Sequence, residues 1–283
     1  MRFRNTFMLV GLLVTCLVGL AFFGCSDDDN TTTGVYSGDT YQIVRAQVND
    51  ILQQSSGQFA AALDASDVQF DDVDSTEAQL DTLRGILFGP APIDSSGADS
   101  NLWWAFFYSD LAASASVNRV DSLRWLNGDQ PVQNPTQATS MDFHRHYSVV
   151  NADTTSSYED VTFATNLHIA GLTSDTATVT GSLEFDIVSK DVEADGTVRQ
   201  IYDVQVDITS LTVGKLTSGW DTGCPSGGTA SVTVAHSYKD GVGSYRQMSW
   251  TFDVTFDDGS ITADVSNAQG LSAEYGADIC SVQ

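Results

Sequence analysis

From residue 101 onward apolar and polar residues alternate with a period of two, which reads as a succession of strands. The clearest run is Ala177 to Ile187. There Ala177, Val179, Leu183, Phe185 and Ile187 take one side, and Thr178, Thr180, Ser182, Glu184 and Asp186 the other. The same alternation runs through Val161, Phe163, Thr165, Leu167 and Ile169, and through Met248, Trp250, Phe252, Val254 and Phe256. In Tyr202, Val204, Val206 and Ile208 it holds, then slips one place to Leu211 and Val213, as a β-bulge requires. Turn signals separate the runs: Asn127-Gly128-Asp129, Asp195-Gly196, Lys239-Asp240-Gly241 and Asp257-Asp258-Gly259.

Before residue 101 the period is helical. Tyr41, Val44, Val48, Ile51 and Leu52 form one stripe within Asp39 to Leu63, continuing through Phe59, Ala62 and Leu63. Gly57 interrupts it and predicts an end or a kink there. A second helix has signals at both ends. Asp74 and Glu77 make the start, Leu80, Leu83 and Leu87 share a face, and Gly89-Pro90 is the stop.

One apolar and one polar face per strand, with short turns between strands, predicts an antiparallel meander of about ten long strands. A flat sheet of that width is unusual because strand twist curls it. The expected fold is therefore mainly β, coiled into a barrel or half-barrel, with the two N-terminal helices packed on its open apolar face.

The first residues belong to none of this. Arg2 and Arg4 precede Phe7 to Phe23, 17 residues without a charge, and Gly24-Cys25 follows. That is the order of an export signal. Together with the polar Ser26-Asp27-Asp28-Asp29, this segment resembles the signal peptide and lipobox of bacterial lipoproteins. The resemblance covers residues 1 to about 30. It implies cleavage before Cys25, a diacylglycerol on the Cys25 thiol, and a place in the bacterial cell envelope, on the periplasmic face or the cell surface. Gly19-Leu20-Ala21 offers an ordinary cleavage site instead, which gives a secreted form. The chain is thus expected to divide into a signal peptide (1-24), the lipidated cysteine and a polar tether (25-38), and a single β-rich domain (39-283). That domain carries helices within 39-89 and the sheet within 101-280. Residues 26-38, fully stretched, reach roughly 45 Å.

Charge and cysteine content sharpen the partners. The chain has 283 residues, 12 Lys and Arg against 37 Asp and Glu, and a net charge of −25. Such a surface repels phosphates and excludes a nucleic-acid partner. Besides Cys25, only Cys224 and Cys280 follow the signal. In an oxidising compartment they read as one disulfide, worth on the order of 3–4 kcal/mol in the chain-entropy account.

Three groups of residues could carry chemistry. Asp142, His144 and His146 stand at alternate positions of a strand and so share its polar side. With His168 on the next strand, diagonally near Asp142, they could ligate a divalent metal. The bland reading is polar residues on a wet face. Asp191, Glu193 and Asp195, followed by Gly196, resemble the front half of a calcium loop. The ninth position is Arg199 and the twelfth Tyr202, and the flanks are strands, so an acidic hairpin turn explains them too. Trp103, Trp104, Phe106 and Phe107 are apolar on both sides of their run. Burial under the helices accounts for them; a cavity or groove for an apolar ligand or a glycan is the functional alternative.

No G-x-S-x-G elbow, H-E-x-x-H, P-loop or G-x-G-x-x-G occurs, so an enzyme is the minority reading and no cofactor is expected beyond a possible divalent metal. The sequence points to a lipid-anchored, acidic envelope protein whose β domain binds or presents something. A carrier of an apolar ligand is one form of that reading; the alternatives are a metal protein or metal-dependent enzyme at His144 and His146, and a calcium-dependent adhesion module.

Overall fold

The computed structural model describes residues 39–66, 76–88, 94–96, 99–111, 115–152, 155–193, 196–216, 219–220, 225–240 and 246–278. The signal segment, Cys25 and the tether lie outside them, as do Cys224, Cys280 and Asp195. The described residues belong to one contact unit, Thr33–Gln283.

The first helix, α1, spans Asp39–Ser66 and runs on through Gly57, where the sequence predicts a break. A mid-helix glycine costs about 1 kcal/mol. Here Ile51 and Leu52 before it, and Ala62, Leu63 and Ala65 after it, are all buried, and docking on both sides offsets that cost. The second helix, α2, spans Thr76–Phe88, stopping where Gly89-Pro90 predicts.

The strands are β1 (Asp94–Ser96), β2 (Trp104–Leu111), β3 (Ala115–Asn127), β4 (Gln130–Val132), β5 (Ser140–Asn151), β6 (Tyr158–Ala170) and β7 (Thr176–Glu193). Then follow β8 (Gly196–Leu216), β9 (Gly219–Trp220), β10 (Gly227–Asp240), β11 (Arg246–Asp257), β12 (Ser260–Asn267) and β13 (Ser272–Asp278). They form one antiparallel meander in the order β1-β2-β3-β5-β6-β7-β8-β10-β11-β12-β13, with β4 appended to β3 and β9 to β8. Among the described residues the end strands β1 and β13 do not pair with each other, so hydrogen bonds do not close the sheet, consistent with a half-barrel.

The predicted slip in β8 is real. Ile208 pairs with Ala230 while Ser210 pairs with Thr229, leaving Thr209 as the extra residue. Glycines flank it on either side: Gly181 pairs with Ile208 and Gly228 with Leu211. Both have positive φ (137° and 127°), and an added Cβ would stand 2.0 Å from the Asn166 carbonyl oxygen or 1.9 Å from that of Ser210. The backbones approach too closely there for any side chain.

Alternation gives each strand its inward set, and the two helices complete the core. Val44, Val48 and Leu83 join Trp104, Phe143, Leu183, Val232 and Phe252 in one buried cluster. α1 reaches the last strands: Tyr275 Oη donates to Asn49 Oδ1 (3.1 Å), Arg45 lies over the Tyr275 ring, and Tyr41 packs on Trp250. α2 reaches the first: Arg84 hydrogen-bonds Ser95, and Phe88 packs on Phe106. Where α1 and α2 dock, the inner face is thus filled by helical and sheet-borne side chains together. Among the described residues no helix is long and apolar enough to cross a membrane.

Candidate functional site

The aromatic run divides between the two faces. Trp104 and Phe106 point inward and are fully buried, whereas Trp103 is half-buried and Phe107 is 44% exposed. Period-two alternation allows nothing else once two of the four face the core. The four therefore do not line one cavity, and that expectation is corrected.

Trp103 instead joins the predicted histidines on the outer face. The indole contacts His144 on β5 (ring centroids 4.6 Å apart) and Arg124 on β3 (4.7 Å from the ring centre), both to the same side of β2. Arg124 donates through Nε and Nη2 to Asp142 Oδ2, 2.9 Å each. The other carboxylate oxygen, Oδ1, meets His168 Nδ1 at 2.7 Å. Arg124, Asp142 and His168 are consecutive members of one cross-strand row, so His168 faces Asp142 directly and not diagonally. Register explains the difference. Pairing Phe143 with Leu167 and Met141 with Ile169 is what keeps both apolar sets on the inner face.

The four metal-ligand candidates share a face but not a centre. Both oxygens of Asp142 are committed to Arg124 and His168, and His146 stands in another row with Val120 and Ala164. Among the described residues no group of three His, Cys, Asp or Glu side chains could hold a metal ion. His144 is also pushed below the ordinary histidine pKa, chiefly by burial and further by Arg124, against the opposite pull of Asp142. It stands neutral at pH 7 as an aromatic and hydrogen-bonding surface.

Of the acidic stretch, Asp191 and Glu193 stand on β7, where Glu193 pairs with Gly196 at the end of the β7–β8 ladder, the strand flanks that an acidic hairpin turn would have. Asp191 adds its charge to Glu159 on β6; burial is the main reason the Glu159 pKa rises, with Asp191 and Asp50 adding to it. Asp195 is outside the described residues.

Comparison with known proteins supplies no relative: no family model matches the chain, and neither a curated protein nor a solved structure does.

The inner face holds a group the sequence reading missed. Asp121, 0% exposed, accepts from Arg145 Nε (2.7 Å) and Nη2 (2.6 Å) and from Arg119 Nη2 (2.6 Å). Arg119 Nη2 also donates to the Leu87 carbonyl in the last turn of α2 (3.0 Å), and its guanidinium covers the Phe88 ring at 4.0 Å. The Thr165 hydroxyl, next in the row after Arg145, is buried with no hydrogen-bond partner among the described residues. A signal for the triad was present. Leu123 and Trp125 fix which side of β3 is inward, and counting back in twos places Asp121 and Arg119 there. Phe143 does the same for Arg145.

Proposed function

We propose that this chain is an exported, lipid-anchored cell-envelope protein that acts as a non-enzymatic recognition module, and that its ligand is a glycan held on the outer face around Trp103. The observation that carries this reading is the Trp103 platform beside the fixed Arg124–Asp142–His168 row. An aromatic ring receives the C–H face of a pyranose, and neighbouring planar donors and acceptors bridge its hydroxyls. Mutual hydrogen bonding holds these side chains in place beforehand, so little ordering is left for the ligand to impose. The Gly24-Cys25 segment and the polar stretch after it support display at a membrane surface.

Two measurements test the two halves of the reading. Affinity electrophoresis of the mature chain through soluble polysaccharides should show retardation that Trp103→Ala abolishes, with the melting temperature changed by less than about 4 °C. Equal retardation of the variant, or none of either protein, refutes the glycan site. Membrane fractionation of cells making Cys25→Ser should move the protein to the soluble fraction; retention on the membrane refutes the anchor.

A further inference from the structure

The Arg119–Asp121–Arg145 triad holds two guanidinium groups against one carboxylate. The side chains of Asp121 and Arg145 are 0% and 5% exposed, while that of Arg119 is 20% exposed. The partial negative charge at the C-terminal end of α2, met through the Leu87 carbonyl, balances about half a unit of the surplus. The Arg119 guanidinium thus stands at the rim of the inner face, with the Asp110 carboxylate beyond Tyr108 on the same side of β2.

Arg119 spends Nε and Nη2 on Asp121 and Leu87, and its Nη1 makes no hydrogen bond among the described residues. Two phenols stand beside it. Tyr108 on β2 pairs with Arg119 from one side and Tyr147 on β5 from the other, all on the inward parity. Both are half-buried, and burial raises their pKa, so both remain protonated donors at neutral pH.

From Tyr147 the same row continues as pure hydrocarbon. Tyr147 packs on Phe163 (ring centroids 5.1 Å apart) and Phe163 on Phe185 (5.6 Å). The next inward row runs from Asp110 at the β2 end through Val117, Val149 and Val161 to Ile187, and Val117 and Val161 in it are only partly buried. A cationic, phenol-flanked end thus adjoins an aliphatic and aromatic strip.

We propose that Arg119, Tyr108 and Tyr147 form a binding site for the carboxylate of a long-chain fatty acid, with the acyl chain lying along Phe163, Val117, Val149 and Val161. The carboxylate takes Arg119 Nη1 and the two phenolic hydroxyls as donors. The chain covers the exposed parts of the valines. This site is on the opposite face from Trp103, and neither proposal depends on the other.

The test uses the mature chain and a fluorescent polyene fatty acid, cis-parinaric acid, with its methyl ester and dodecyl phosphate as comparisons. The expected result is saturable binding of one acid per chain, at least about tenfold weaker binding of the ester, and no tighter binding of the phosphate. Tyr108→Phe with Tyr147→Phe removes two donors without touching the triad. It should weaken the acid at least about tenfold and leave the ester unchanged. Arg119→Met removes the cation and should abolish most of the difference between acid and ester. Absence of saturable binding, equal affinity for acid and ester, tighter phosphate binding, or a double phenylalanine variant that binds the acid normally each overturns the assignment.

Discussion

A single inward row crosses the sheet as Phe106, Asp121, Arg145, Thr165, Leu183, Val206, Val232, Phe252 and Val265. In the first four strands of that row three positions are polar or charged; in the last five all are aliphatic or aromatic. The outer faces differ in the same way. Over β2 to β6 the outward side chains include Trp103, Phe107, Arg124, Asp142 and three histidines. Over β7 to β13 they are largely Thr, Ser, Asp and Glu, apart from the row Lys190, Arg199 and Lys239. The backbone pattern is common to both halves, so the fold does not require the chemistry of the first. The second half is a scaffold that obeys the binary rule apart from the buried His236, and the first departs from it wherever a candidate site is found.

The largest effect expected from that contrast is at Asp121. Asp121→Asn leaves two inward-facing guanidinium groups facing each other and should cost about 3–5 kcal/mol, read as a lower urea midpoint. Replacing Arg119, Asp121 and Arg145 together by Met and Leu makes the first half resemble the second, and should restore most of that loss. If the single variant costs no more than an exposed substitution, the distinction between the halves has no energetic content.

A second test concerns the one buried histidine of the scaffold half. His236 is 2% exposed, stacks on Tyr202 at 4.4 Å, and has Nε2 3.3 Å from Gln200 Oε1; burial pushes its pKa down to about 4. The unfolded chain protonates near pH 6.5 and the folded one does not. Stability from this group is therefore fully present above pH 6.5 and is lost as the pH falls toward 4, by up to about 3 kcal/mol. Glu159 and Asp50, whose pKa values are raised by burial, act in the opposite sense. The relevant quantity is thus the difference between wild type and His236→Phe: the variant should lose less stability between pH 6.5 and 4. Parallel curves would assign the acid sensitivity elsewhere.

The smallest effect belongs to the acidic outer wall. Asp264 stands between Asp253 and Glu274 in directly opposed pairs. Asp264→Lys turns two repulsions into attractions and should stabilise by about 0.5 kcal/mol at low salt, fading as salt is added. The same gain at high salt would show that charge is not its cause.

Alternation carried most of the fold, because one side of every strand must be greasy and the other wet. Ala177 to Ile187 could be read by itself, and the β8 slip announced its own bulge. Gly57 misled, since local propensity took no account of what α1 buries on either side. The sites were harder for a related reason. Asp142 and His168 were placed on the correct face, but their direct pairing depended on the register of a whole hairpin. Asp142 also had a partner, Arg124, that lies on another strand. Arg119 and Asp121 were passed over because charged residues near the middle of a strand are ordinarily taken for surface.

The meander has a consequence for how such a chain assembles. Each long strand pairs with the one just made, so order can spread vectorially, hairpin after hairpin, without threading a distant segment into place. The helices emerge first and find their full berth last. The hydrogen bond from Tyr275 back to Asn49 spans 226 positions, and it is the clasp that a growing chain closes only once β13 has been made.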